Sequence, residues 1–378
     1  MDSNDVPPFT LPPPPPPFNP PPIILSPPAR PRTSRGWMIM AIVLLVLLAL
    51  SVFGNLSQWL DGLMPMAHVG SSSAGPRLDE VVIEDNDSAN KIVVVEVSGI
   101  ITSRLLDQGG LTMVEKIKEE LKRAKEDNKV KAVLLKVDSP GGEVLASDEI
   151  YGLLKDFQTG KGAKPVITSM GSLAASGGYY IASASRWIVA NEMTITGSIG
   201  VIMRAYNYRG LMDKIGLQPN VYKSGEHKDM LSGSRLASEI PADERAMVQS
   251  LIDETYGRFK LVVDEGRNAA HQKNQNAGKA LAADWKDYAD GRVLSGRRAE
   301  ELGFVDEVGN FDKAVKRALV IGGAKKANLV QYKLRYELSD FFRMFGKTET
   351  PAIKVDLGME GLKVEPGQLY FLSPMSFH

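Results

Sequence analysis

Gly171-Ser172-Leu173-Ala174-Ala175-Ser176-Gly177-Gly178-Tyr179-Tyr180 sets one serine among residues too small to hide it. The run before it, Pro165 to Met170, reads as a short buried strand, and Tyr179 to Ala184 reads as a helix in a small-residue setting. Ser176 therefore falls at a strand-to-helix turn and is the candidate nucleophile. Such a turn aims backbone N–H groups and the positive end of a helix dipole at whatever the serine attacks, which favours a developing oxyanion. The glycines at 177 and 178 let a substrate backbone approach closely. Taken alone, the stretch fits equally a helix packed on a sheet through Ala and Gly, with Ser176 as a cap. The chemistry has to be argued from the rest of the chain.

Upstream, Lys91 to Val97 reads as a strand. Gly110 to Asp127 follows as an amphipathic helix with Leu111, Val114, Ile117 and Leu121 on one face, and Val130 to Val137 as a buried strand. The loop Asp138-Ser139-Pro140-Gly141-Gly142 then leads into a helix carrying Ile150, Leu153, Leu154 and Phe157. This alternation predicts an α/β fold, a mainly parallel sheet covered by helices, with function at the carboxyl ends of the strands. Both glycine loops fall at such ends. The amides of Gly141 and Gly142, one crossover from Ser176, are candidates for an oxyanion hole, although Pro-Gly-Gly is also ordinary turn chemistry. Neither GxxxxGK[ST] nor GxGxxG occurs in the chain, so these are not phosphate loops.

Downstream, Trp187 to Ala190 reads as a strand and Thr194 to Val201 as a tight, glycine-punctuated passage. The polar loop from Val221 to Met230 gathers the candidate bases. Lys228 serves if burial lowers its pKa so that a neutral amine takes the hydroxyl proton, and His227 competes because it needs no such shift. Without further argument the loop also reads as a solvated charged surface. Pro241 to Lys273 predicts a long amphipathic helix for core or subunit contact. Gly291 to Gly309 predicts a short strand, a helix and a reversing turn, Phe311 to Val320 a helix, and Tyr336 to Phe345 a last amphipathic helix. The final thirty or so residues carry no clear pattern.

Composition narrows the function classes. The 378 residues carry 45 basic and 45 acidic side chains, a balance that argues against nucleic acid as a partner. Cysteine is absent, which excludes thiol catalysis, disulfides and thiolate metal sites, and the 4 scattered histidines argue against a metal centre. No cofactor is expected.

The amino-terminal residues 1–36 are proline-rich, with Pro12 to Pro17 unbroken, and predict an extended disordered tail that is an inert spacer or a ligand for a proline-reading partner. Trp37 to Leu56 carries no charged side chain over the length a helix needs to cross a bilayer. A cleaved signal peptide is the competing reading, but the long preceding tail and the long apolar run favour an uncleaved anchor. Arg30, Arg32 and Arg35 precede the span and Asp61 is the first charge after it, so the tail is expected in the cytoplasm and the remainder outside it. Residues 57–90 read as a tether, 91–330 as the globular domain and 331–378 as an extension of unknown role.

The motifs DSPGG at 138–142, GSLAASGGYYIA at 171–182, TGSIGV at 196–201, YKSGEHKD at 222–229 and GRVLSGRRAEELGFVDEVG at 291–309 follow one another downstream of that anchor. In this order they resemble the signal peptide peptidase A family of membrane-anchored serine peptidases, in its short, single-domain form. The resemblance covers about residues 91 to 320 and implies a Clp protease/crotonase-like fold. It implies Ser176 as nucleophile and Lys228 as general base, with Ser198 orienting the lysine and Gly141, Gly142 and Gly177 supplying oxyanion-hole amides. His227 becomes a bystander. No histidine lies between His68 and His227, unlike Clp proteases, which take a histidine soon after their serine. The implied substrates are cleaved signal peptides and other hydrophobic peptides, cut at small or apolar residues by a homo-oligomer that dries the site. A catalytically idle membrane scaffold and a crotonase-like acyl-CoA enzyme are the rival readings. The proline-rich tail and the chain after residue 330 depart from the family pattern.

Overall fold

In the computed structural model, residues 40–48, 51, 78–105, 111–334 and 369–372 are described. Strand alternation builds the centre of the domain. In β2 (Lys91–Ser98), Val93, Val95 and Val97 enter one buried cluster while Ile92 and Val94 enter another. In β3 (Val130–Ser139), Val133, Leu135 and Val137 divide from Ala132 and Leu134 in the same way. Side chains alternate across a strand, so both faces of this sheet are covered, which is why the middles of these runs, 92–95 and 132–135, are apolar.

Helix α1 (Met113–Glu126) starts where Thr112 closes a capping box. Its hydroxyl accepts from the Glu115 amide at 3.2 Å, and the Glu115 carboxylate accepts from the Thr112 amide at 2.9 Å. A two-bonded cap of this kind sets the start two to three residues later than periodicity suggests. After β3 come β4 (Gly141–Glu143), α2 (Val144–Phe157), β5 (Val166–Ala175), α3 (Gly177–Ala182), β6 (Trp187–Ala190) and β7 (Ile195–Gly197). Then follow α4 (Arg209–Lys214), α5 (Ala242–Lys273), β8 (Val293–Ser295), α6 (Gly296–Glu301), β9 (Glu307–Val308), α7 (Phe311–Ile321), β10 (Asn328–Leu334) and β11 (Tyr370–Leu372). The edge strand β1 (Leu78–Glu84) precedes them all.

The sheet runs β1-β10-β2-β3-β5-β6-β9, with every neighbour parallel except β1 against β10. This is the mixed α/β architecture with a largely parallel sheet that the strand–helix alternation predicts. Helix α7 sends Ala314 and Ala318 into the cluster on one face. The larger cluster on the other face takes Ile117 and Leu121 of α1, Ile150 and Leu154 of α2, Tyr179 and Tyr180 of α3, and Phe259, Val262 and Val263 of α5.

Two expectations are corrected. Leu78–Glu84, read as part of a tether, pairs antiparallel with β10 from Leu78↔Leu334 onward. Its alternation is masked because Val81, Val82 and Ile83 sit exposed on an edge. The chain after residue 330 is also not without pattern, since β10 continues to Leu334 and β11 pairs with β4. The helix expected at 336–345 lies outside the described residues. So does most of the span expected at 37–56, of which residues 40–48 and 51 are helical. Among the described residues no helix is long and apolar enough to cross a membrane.

Candidate active site

Strand β5 does two jobs along its length. Ile167, Thr168 and Ser169 pair with β6, whereas Leu173, Ala174 and Ala175 pair with β7. The strand thus leaves one neighbour and joins another before it ends, and its last pair, Ala175↔Gly197, carries Ser176 and Ser198 as the next residues of two parallel strands. The TGSIG passage is beside the serine for this reason.

Ser176 itself has φ 54° and ψ −117°, a conformation that L residues rarely adopt and that the surrounding bonds must hold. Its amide donates to the Gly197 carbonyl at 2.8 Å, and its carbonyl accepts from the Tyr180 amide at 2.8 Å. The side chain is left over: Ser176 is 1% exposed and its Oγ has no hydrogen-bond partner among the described residues. A buried hydroxyl without a partner is costly in a structural serine and is what a nucleophile awaiting substrate requires. Ser198 is also buried in the left-handed region, at φ 50°, with its amide on the Arg292 carbonyl at 2.7 Å.

The three glycines expected near the serine do converge. A Cβ on Gly177 would lie 3.1 Å from the Gly142 nitrogen and 3.1 Å from the Gly141 Cα, so the residue after Ser176 and the second loop glycine share one corner. Gly141 contributes by conformation. Its amide is committed to Ser139 Oγ at 3.1 Å, so it is not free to meet an oxyanion, and its φ of 101° is open to glycine. A Cβ there would come within 2.0 Å of the Phe371 carbonyl oxygen and 2.6 Å of the Gly177 nitrogen. Ser139 is a positioning residue inside the DSPGG motif that motif reading passes over. Its neighbour Asp138 is another, accepting from the Leu173 amide at 3.0 Å and so tying the loop to β5.

Behind the serine, Tyr179 donates to the Phe304 carbonyl at 3.0 Å, and burial holds its phenol well above the ordinary range. Tyr180 donates to Asp148, and burial first, then that carboxylate, raises its pKa too. Arg267 of α5 reaches Asp306 at 2.5 Å with both side chains fully buried. Asp306 also accepts from the Ile188 amide at 2.8 Å, which fixes β6 against the turn after α6.

The candidate bases lie elsewhere on the surface. Lys228 is exposed, and its ammonium has no hydrogen bond or ion pair with any described residue. It is not brought to Ser176. His227 is half-buried, 3.8 Å from Glu244 and 3.9 Å from Asp243 at the start of α5. Lys223 binds the Asp229 carboxylate at 2.6 Å, and that hydrogen bond holds Asp229 below its ordinary pKa. Arg235 pins the same loop to Glu244 with two bonds of 2.9 Å.

Among the described residues no group of His, Cys, Asp and Glu is arranged to hold a metal ion.

Residues 158–321 match the model of peptidase family S49. A putative protease of Synechocystis sp. is 40% identical over 233 residues, which span 62% of this chain and 75% of the relative. A putative signal peptide peptidase SppA of Enterococcus faecium is 37% identical over 261 residues, 68% of this chain and 71% of the relative. Protease 4 of Haemophilus influenzae is 35% identical over 252 residues, 66% of this chain and 38% of that longer protein. The strained, buried Ser176 and Gly177 sit inside the residues that match the family model, and the chain belongs to peptidase family S49, as a serine endopeptidase of the signal peptide peptidase A family.

Proposed function

We infer that the protein is a membrane-anchored endopeptidase that cuts hydrophobic peptides, cleaved signal peptides among them, with a Ser176–Lys228 dyad on a Clp/crotonase-like core. The observation that carries this reading is the unpartnered Ser176 Oγ beside the converging amides of Gly142 and Gly177. Ser176 attacks the peptide carbonyl, the two amides hold the oxyanion, and Lys228 takes the hydroxyl proton and passes it to the leaving amine. Water, activated by the same lysine, clears the acyl-enzyme. Ser198 orients the amine, its residue being registered beside Ser176 through Ala175↔Gly197.

The reading requires the loop 221–230 to carry the Lys228 amine to Ser176, a contact the single chain does not make. Assembly supplies the reason for such a movement. Tyr222 is 95% exposed and Met193 82%, and Leu211, Ile215 and Leu251 are exposed as well. Burying this surface between copies dries the loop, and a dry site is what lowers a lysine pKa toward neutrality. An uncharged run from Trp37 to Leu56 supports the anchor, with the proline-rich tail in the cytoplasm.

The test is hydrolysis of a signal-peptide-like fluorogenic peptide by detergent-solubilised protein from pH 6 to pH 10. Activity lost in Ser176→Ala and Lys228→Ala but kept in His227→Ala supports the dyad. Activity kept in Lys228→Ala and lost in His227→Ala replaces the base. Wild-type inactivity in a well-assembled sample favours the scaffold.

A further inference from the structure

The two amides read as oxyanion donors come from different segments, Gly142 from the glycine arm β4 and Gly177 from the turn that carries Ser176. Their separation is a tertiary distance that neither segment sets alone. Where the segments meet, a Cβ on Gly178 would lie 2.8 Å from the Ser139 carbonyl oxygen, so backbone approaches backbone at that point. At Gly177 the nearest atom from another part of the chain is instead a side-chain oxygen. A Cβ there would lie 2.7 Å from Ser147 Oγ, closer than the 3.1 Å to the Gly141 Cα or to the Gly142 nitrogen.

Ser147 stands in the first turn of α2, fully buried, and its hydroxyl donates to the Glu143 carbonyl at 2.8 Å. One oxygen thus binds the residue after Gly142 and abuts Gly177. A serine that bonds back to a carbonyl of the preceding turn gives a helix nothing that alanine would not give better. The helix therefore does not account for this hydroxyl, whereas the junction between the two segments does.

The carbonyl that receives the Ser147 bond is fixed from its other side. The Glu143 amide donates to the Ile101 carbonyl at 2.8 Å, and the Ile101 amide donates to the Gly141 carbonyl at 2.9 Å. The Glu143 carboxylate accepts from the Thr102 hydroxyl at 2.9 Å and from the Ser103 amide at 2.8 Å. With the arm anchored in this way, Ser147 Oγ is the atom that limits how near Gly177 can come.

We propose that Ser147 is a positioning residue of the oxyanion hole, its hydroxyl setting the spacing between the Gly142 and Gly177 amides. This role presupposes that Ser176 is the nucleophile and that those amides hold the oxyanion. Ser147 takes no proton in the reaction. Its influence falls on the step in which negative charge develops on the carbonyl oxygen, hence on kcat and not on KM.

The test uses the full chain in detergent and measures kcat, KM and their pH dependence on the fluorogenic peptide. The affinity for a peptide aldehyde is measured alongside, because its adduct with Ser176 places a tetrahedral oxygen in the hole. Ser147→Ala is expected to lower kcat and aldehyde affinity together by about tenfold, with KM within about twofold of wild type and the alkaline limb unmoved. Gly177→Ala is expected to lose about a hundredfold in kcat, since its methyl meets Ser147 Oγ. The double variant, with that contact removed, is expected to recover about tenfold of the loss, a coupling that two independent structural residues would not show. Ser147→Cys, which sets a larger atom against Gly177, is expected to lose at least about tenfold in kcat and carries the same test should the alanine variant fold poorly. Wild-type kcat in either single Ser147 variant, or a double variant no more active than Gly177→Ala, overturns the role of Ser147. If Ser176→Ala is inactive in the same assay, the Ser176 reading survives that result. Ser176→Ala indistinguishable from wild type overturns both.

Discussion

The Ser176 amide donates to the Gly197 carbonyl at 2.8 Å, so Ser176 hangs from the same strand that presents Ser198. Gly197 can offer that carbonyl because it sits at φ 75°, a region a side chain enters at a cost of about 1–2 kcal/mol. A Cβ there would also lie 3.1 Å from the Arg292 carbonyl and 3.2 Å from Leu294. Gly197→Ala is expected to lose about 1–2 kcal/mol of stability and about tenfold or more in kcat, since small displacements of a nucleophile are expensive. Urea midpoints and peptide hydrolysis on the same preparation check both halves, and unchanged kcat alongside lowered stability would detach Gly197 from the site.

Ser176 is held at φ 54°, and the strain belongs to its Cβ. Ser176→Ala and Ser176→Gly both remove the hydroxyl, but only the glycine relaxes the backbone. The glycine variant is expected to be more stable than the alanine variant by about 1 kcal/mol, with neither hydrolysing peptide. Equal melting temperatures would mean that the turn is not strained.

Glu120 gives the clearest pH signature away from the site. It is 1% exposed on α1, Oε2 has no partner, and Lys116 is 3.9 Å away. Burial, opposed by Lys116, raises its carboxyl from 4.5 to about 7. A carboxyl raised in the folded state binds its proton more tightly there than in the unfolded chain. The folded protein is therefore penalised progressively as pH rises from the unfolded value, 4.5, through about 7. Glu120→Gln is expected to be near neutral at pH 5 and to stabilise by roughly 2–3 kcal/mol at pH 8. Denaturant titrations at the two pH values decide it, and an equal effect at both would place the charge in water.

Arg267 and Asp306 form an ion pair with no exposure on either side. Removing one partner leaves the other charged and dry, so Arg267→Met is expected to cost about 3–5 kcal/mol. The double variant Arg267→Met with Asp306→Leu should recover a large part of that loss. Failure to recover would show that the Asp306 bond to the Ile188 amide, not the ion pair, is the dominant contribution.

Much of this architecture was legible before any coordinates. Runs such as Lys91 to Val97 and Val130 to Val137 are apolar on both faces, which local pattern alone assigns to the middle of a covered parallel sheet. The place of Ser176 at the end of a strand was legible because the small residues around it mark a turn, whereas its burial and its unpartnered hydroxyl were not. Ser139 and Asp138 were present in a motif already noticed, but their roles depend on amides that meet them only after folding.

The amino-acid sequence by itself determined the class of fold, the order of its central elements and the strand-to-turn placement of Ser176 and its glycine neighbours, since each follows from periodicity and local backbone freedom. Tertiary structure alone decided which amides converge, that the Gly141 amide is spoken for by Ser139, that Leu78–Glu84 is an edge strand, and that Phe371 reaches the serine corner. Those facts are contacts between residues up to 256 positions apart, as Leu334 is from Leu78. No local propensity encodes them, because they come into being only when the apolar faces of the sheet and helices are buried together.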